Sequence, residues 1–121
     1  MSIKIYTTLN RHQFQTIINK PNISIIIFLN ASWCKPCKSF KQYLYNKIGI
    51  LKHFPQILFF DIDIDNPENI DIYSFLKSKK QVTGVPTLLY FTESIYSELC
   101  ISGDNKRGLD NLFNKVIEQN K

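Results

Sequence analysis

A chain of 121 residues fits one domain and leaves no room for two; at 44% hydrophobic and 21% charged it is ordinary for a globular protein and wrong for a disordered one. Its three cysteines are too few for a secreted disulfide framework, and a chain this long buries a core without needing staples, so a reducing compartment is expected. The net charge of +5 is unevenly placed: residues 1–60 carry eight Lys or Arg and no acid, and all ten acidic residues lie at Asp61 or later.

In chain order, residues 3–6 form a short opening strand. Leu9, Phe14, Ile17 and Ile18 then fall near helical spacing, and Pro21-Asn22 ends that helix. The β-branched run at 23–29 has the length of a strand buried on both faces. A helix follows from about Cys34, with Phe40, Tyr43, Leu44, Lys47, Ile48 and Leu51 tracing one stripe. Residues 57–64 read as the next strand. Asn66-Pro67 starts a helix, with Asn as cap and Pro at the first helical position, running to about Lys79 and burying Ile70, Tyr73 or Ser74, and Leu76 or the stem of Lys77. Gly84-Val85-Pro86 opens a strand over 87–91. A tight connection near Glu93-Ser94 returns the chain through 95–101 as an antiparallel partner. Leu109, Leu112, Phe113, Val116 and Ile117 mark one face of a closing helix. The order β-α-β-α-β-α-β-β-α predicts a single α/β domain over residues 1–121, a mixed sheet of five strands flanked by four helices. The aromatics Phe59, Phe60, Tyr90 and Phe91 read as core rather than as a base-stacking platform.

The chemistry concentrates at Trp33-Cys34-Lys35-Pro36-Cys37. A Cys-x-x-Cys directly after a buried strand, at the start of a helix, offers its first sulfur unpaired N–H groups and a partial positive charge. That environment stabilises a thiolate at Cys34, the nucleophilic form. Cys37 is near enough to close a ring with Cys34, Pro36 restricts the backbone between them, and Lys35 and Lys38 add positive charge that lowers the Cys34 pKa. Zinc is the competing use of a Cys-x-x-Cys, but His12 and His53 lack the paired spacing of zinc modules, so no metal is expected. The basic first half has no Lys/Arg-rich run or nucleic-acid motif beside it, so no nucleic-acid partner is expected. No secretory signal and no apolar stretch of membrane length are visible, which predicts a cytoplasmic chain without a membrane partner.

The stretch Ala31-Ser32-Trp33-Cys34-Lys35-Pro36-Cys37-Lys38 closely resembles the active-site segment of thioredoxins, and Gly84-Val85-Pro86-Thr87 resembles that family's second signature, in which the proline follows a cis peptide bond and faces the cysteines. The resemblance implies a thioredoxin fold and a thiol–disulfide oxidoreductase that reduces protein disulfides. In that scheme Cys34 attacks and Cys37 resolves the mixed disulfide. It implies a substrate groove of Trp33, Val85, Pro86 and Gly103, with the Val85 backbone pairing to the substrate chain. It further implies no bound cofactor, a monomer, recycling by a thioredoxin reductase or by glutathione, and a place in electron transport and cell redox homeostasis. Lys35, Pro36, Pro86 and Asp61 are read as tuning residues.

Three departures from the family pattern stand out. Lys35 stands where thioredoxins usually carry Gly, which leaves the redox poise open to an oxidant or isomerase. Phe28 occupies the place of the family's buried Asp, and Asp61 that of its Lys partner. Either the polar pair is lost and Phe28 packs the core, or Asp61 supplies the missing carboxylate from the neighbouring strand. Gln42 replaces a helix-kinking proline, predicting a straighter helix. The altered pair also keeps open a binding module, a subunit or scaffold with incidental redox activity. Cys100, outside every motif, reads as a small core or edge residue.

Overall fold

A computed structural model describes residues 3–79, 82–92 and 100–121. Five strands, β1 (Ile5–Tyr6), β2 (Ser24–Asn30), β3 (Ile57–Asp63), β4 (Thr87–Thr92) and β5 (Cys100–Ser102), form one sheet in the order β1-β3-β2-β4-β5. β1 and β2 flank β3 in parallel, while β4 runs antiparallel to both β2 and β5. The four helices are α1 (Arg11–Ile18), α2 (Lys35–Lys47), α3 (Ile70–Ser78) and α4 (Lys106–Gln119).

β2 is central and buried at every residue. Its side chains alternate across the sheet. Ile26 and Phe28 join α2 and α4 on one face, with Phe40, Leu44, Leu109, Leu112, Phe113 and Val116. Ile25, Ile27 and Leu29 join α1 and α3 on the other, with Phe14, Ile18, Ile72 and Leu76. Phe59, Phe60, Tyr90 and Phe91 are all buried in these two cores.

Element ends shift by a residue or two from the sequence reading, and three differences have physical causes. Residues expected to continue the α2 stripe, Ile48 and Leu51, are buried but lie on a 3-10 helix, Ile48–His53, that begins where α2 ends. Asn66 does cap a helical turn, its side chain accepting from Glu68 N, but that turn is the 3-10 segment Pro67–Asn69. This short segment resets the phase of α3: Ile72 and Leu76 are buried, and Ile70, expected inside, is 54% exposed. Asn69 is fully buried instead. Its amide donates to the Thr7 and Asp63 carbonyls at 3.1 Å each, and its Oδ1 accepts from Leu9 N at 3.1 Å. The expected turn at Glu93-Ser94 and the strand residues 95–99 lie outside the described residues; the antiparallel pairing itself runs from Thr87↔Ser102 to Leu89↔Cys100.

Helix α1 begins with a capping box in which Asn10 and Gln13 exchange side-chain-to-backbone hydrogen bonds of 2.8 and 3.0 Å. Helix α4 is capped by Asn105, which accepts from Gly108 N at 2.9 Å.

Candidate active site

The parallel strand β2 delivers the chain to the end of the sheet, where Ala31 to Cys34 turn it into α2. Cys34 is the N-cap: its backbone is extended, and its sulfur accepts a hydrogen bond from Cys37 N at 3.2 Å. Lys35 and Pro36 occupy the first two helical positions, where a missing N–H costs nothing. Cys34 and Cys37 are joined as a disulfide with a Cα–Cα separation of 5.2 Å. Both sulfur-bearing residues are buried, against Ala31 and the partly buried Ile64 and Val85. Trp33, next to them in the chain, is 67% exposed.

The Val85–Pro86 peptide bond is cis. Val85 reaches the cysteine cluster, and Pro86 is tied to the next strand by its carbonyl, which accepts from Gly103 N at 2.9 Å. Gly103 has φ +76°, a conformation that favours glycine, and so turns the chain from β5 toward α4 beside Pro86. The structure thus gathers Cys34, Cys37 and Val85 directly, and sets Gly103 against Pro86.

Asp61 and Phe28 are register partners on β3 and β2. Phe28 is fully buried and packs on Phe40, with ring centroids 5.7 Å apart. The Asp61 carboxylate, 11% exposed, accepts from Asn30 Nδ2 at 2.7 Å and from the Tyr45 hydroxyl, and pairs with Lys41 Nζ at 3.3 Å. Burial foremost, and then the bond to Asp61, hold the Tyr45 hydroxyl well above the ordinary phenol range. Asn30, Lys41 and Tyr45 were missed from sequence. Lys41 and Tyr45 follow Cys37 at intervals of four along α2, so the helical period was the available signal. Asn30 had none beyond its place at a strand end.

Among the described residues no cluster of three or more His, Cys, Asp or Glu could hold a metal ion, and no helix is long and apolar enough to cross a membrane. Gln42 lies within α2, which runs unbroken from Lys35 to Lys47. Cys100 is half-buried on β5; burial foremost pushes its thiol up, and a hydrogen bond from Ser102 opposes the shift.

A sheet of this order, with a Cys-x-x-Cys disulfide at the start of the helix that follows its central strand and a cis proline just before the adjacent strand, defines the site of a thiol–disulfide oxidoreductase. The thioredoxin family model matches residues 5–116, and the chain belongs to that family. The chain is similar to a thioredoxin of Ophiophagus hannah, 25% identical over 95 residues, 77% of this chain and 79% of that one. It is 30% identical over 82 residues to the thiol:disulfide interchange protein DsbD of Pasteurella multocida; the match covers 67% of this chain and only 14% of that much longer protein. The oxidised mitochondrial thioredoxin 3 of Saccharomyces cerevisiae superposes with a TM-score of 0.69 at 25% identity, covering 91% of this chain and 94% of that one.

Proposed function

We propose that this chain is a general reductant of protein disulfides, with Cys34 as attacking and Cys37 as resolving thiol. The observation that carries the reading is the Cys34–Cys37 disulfide with Cys34 as helix N-cap, where the sulfur already accepts an N–H. In the reduced protein the same N–H and the helix dipole favour a Cys34 thiolate. That thiolate attacks one sulfur of the substrate disulfide; the substrate S–S bond breaks, and the departing thiolate takes a proton from solvent. Cys37 then loses its proton and attacks Cys34, the mixed disulfide breaks, and the second substrate thiol leaves. Two electrons pass from the dithiol to the substrate, and the Cys34–Cys37 disulfide remains.

Trp33, Val85, Pro86 and Gly103 form the groove for the substrate chain, with the exposed Trp33 as its apolar wall. Asp61 receives the Cys37 proton in the resolving step. Cys37 is only 2% exposed, so its thiol has little access to water, and Asp61 is bound by Lys41 and Tyr45, which follow Cys37 by one and two turns of α2. The protein acts as a monomer in a cytoplasmic setting, recycled by a thioredoxin reductase or by glutathione, and so serves electron transport and cell redox homeostasis.

The deciding experiment is the reduction potential of the Cys34–Cys37 couple, titrated in dithiothreitol and glutathione buffers. About −270 mV supports the reductant, and about −180 to −120 mV marks an oxidant or isomerase instead. Failure to form a reversible disulfide overturns catalysis and leaves a binding module.

A further inference from the structure

The two helices that frame one side of the disulfide run parallel. Lys106 at the start of α4 bonds Ser39 Oγ near the start of α2 at 3.0 Å. One turn further on, Asp110 accepts from the Tyr43 hydroxyl at 2.9 Å and pairs with Lys47 Nζ at 2.8 Å. Both N-termini therefore lie at the same end of the sheet as Cys34, and their dipoles add partial positive charge there.

The side chains at that end have the same sign. Lys35 and Lys38 on the first turn of α2, and Lys106 and Arg107 on the first turn of α4, are exposed. Asp104, 3.8 Å from Lys106, is the carboxylate paired within this group. Among the described residues Lys35, Lys38 and Arg107 make no ion pair. Across the disulfide the charge reverses: Ile64, packed on the cysteines, lies between Asp63 and Asp65, ahead of Glu68 and Asp71 at the start of the α3 segment. The site sits on a boundary between a basic wall and an acidic one.

We propose that the basic wall of α2 and α4 selects protein substrates whose disulfide is flanked by acidic side chains on that side. This rests on the disulfide-exchange reading and names its substrate class. Charges placed around a contact steer encounter and penalise mismatched partners, and salt screens both effects. An acidic flank also slows attack by any thiolate, through repulsion, so a preference for it must come from the protein surface.

The test uses three synthetic peptides with the same intramolecular disulfide, flanked by two Glu, two Ser or two Lys. Second-order rates with the reduced protein are followed by the fluorescence of Trp33 and divided by the rate of dithiothreitol with the same peptide. The Glu peptide is expected to lead the Lys peptide by about 10-fold at low ionic strength and by less than about 2-fold in 0.5 M salt. Arg107→Glu and, separately, Lys38→Glu should each narrow that ratio at least about 3-fold; because the readout is a ratio, a change in intrinsic thiol reactivity cancels. Equal normalised rates, or a preference untouched by salt and by both variants, overturns the proposal. If no peptide is reduced, the Ser peptide included, it is the exchange reading that fails, and the substrate class falls with it.

Discussion

Asp61→Asn keeps the shape of the side chain and removes its charge. In the structure the change weakens two charge-assisted hydrogen bonds, from Asn30 and from Tyr45, by about 1 kcal/mol each. It also abolishes an ion pair with Lys41, whose side chain is 45% exposed, worth about 0–1 kcal/mol. The expected loss of stability is about 2–3 kcal/mol, or roughly 10 °C in melting temperature for a chain of this size. The kinetic effect should separate the two half-reactions. The first attack, made by Cys34, keeps its rate; resolution by Cys37 slows about 10-fold or more, because general-base assistance is lost. Rapid mixing with a disulfide substrate, acid quenching and mass analysis of the trapped mixed disulfide measures both steps. A merely structural role would lower stability alone, so the pH profile of resolution is the second readout: an ionisation present in the wild type should vanish in the variant. If the mixed disulfide resolves equally fast in both proteins, Asp61 anchors the sheet to α2 and takes no proton.

Other expectations are independent of Asp61's role in turnover. Tyr45 is held protonated above its unfolded pKa, so stability is fully present below about pH 10 and falls as pH rises beyond it. Chemical denaturation between pH 8 and 11 should show that fall, and Tyr45→Phe should flatten it. Lys47 foremost, and then Tyr43, draw the Asp110 carboxyl below its ordinary value. Its contribution is present above the unfolded pKa and is lost as pH falls through the folded one, so NMR titration should place its midpoint below pH 3.8. Cys34→Ser should abolish disulfide reduction in an insulin-type turbidity assay, and retained activity would remove Cys34 as nucleophile. In the reduced protein Cys100 should react with iodoacetamide at least about 10-fold more slowly than Cys34, since burial disfavours its thiolate.

The parts legible in the sequence were those that depend on local patterns. The uninterrupted run of β-branched residues over β2 signalled a strand covered on both sides, and the five apolar positions of α4 signalled its buried face. The dithiol was legible because its chemistry needs a strand-to-helix turn, and the flanking Trp33 and Pro36 made that context specific. What escaped required knowing how elements meet. Asn66-Pro67 reads as the start of a continuous α-helix, which would bury Ile70; the 3-10 turn there has three residues per cycle and rotates the face before α3 begins. Asn69 was overlooked because an Asn in a helical segment normally faces water, and its three partners come from two other parts of the chain. Asp61 stands out against the family pattern, but its companions Asn30, Lys41 and Tyr45 converge only through the β2–β3 register and the passage of α2 across it.

The sulfur that caps α2 gives the first turn of that helix a memory of the chemistry performed there. Ordinary caps are oxygens whose accepting power is constant. Here the acceptor is Cys34 Sγ, and its electron density changes at every stage of turnover: high as a thiolate, low once bonded to another sulfur. The N–H of Cys37 is therefore gripped hardest when the protein is reduced and waiting, and less firmly while a substrate is attached. The residue that must next move to resolve the intermediate is the one whose backbone has just been released.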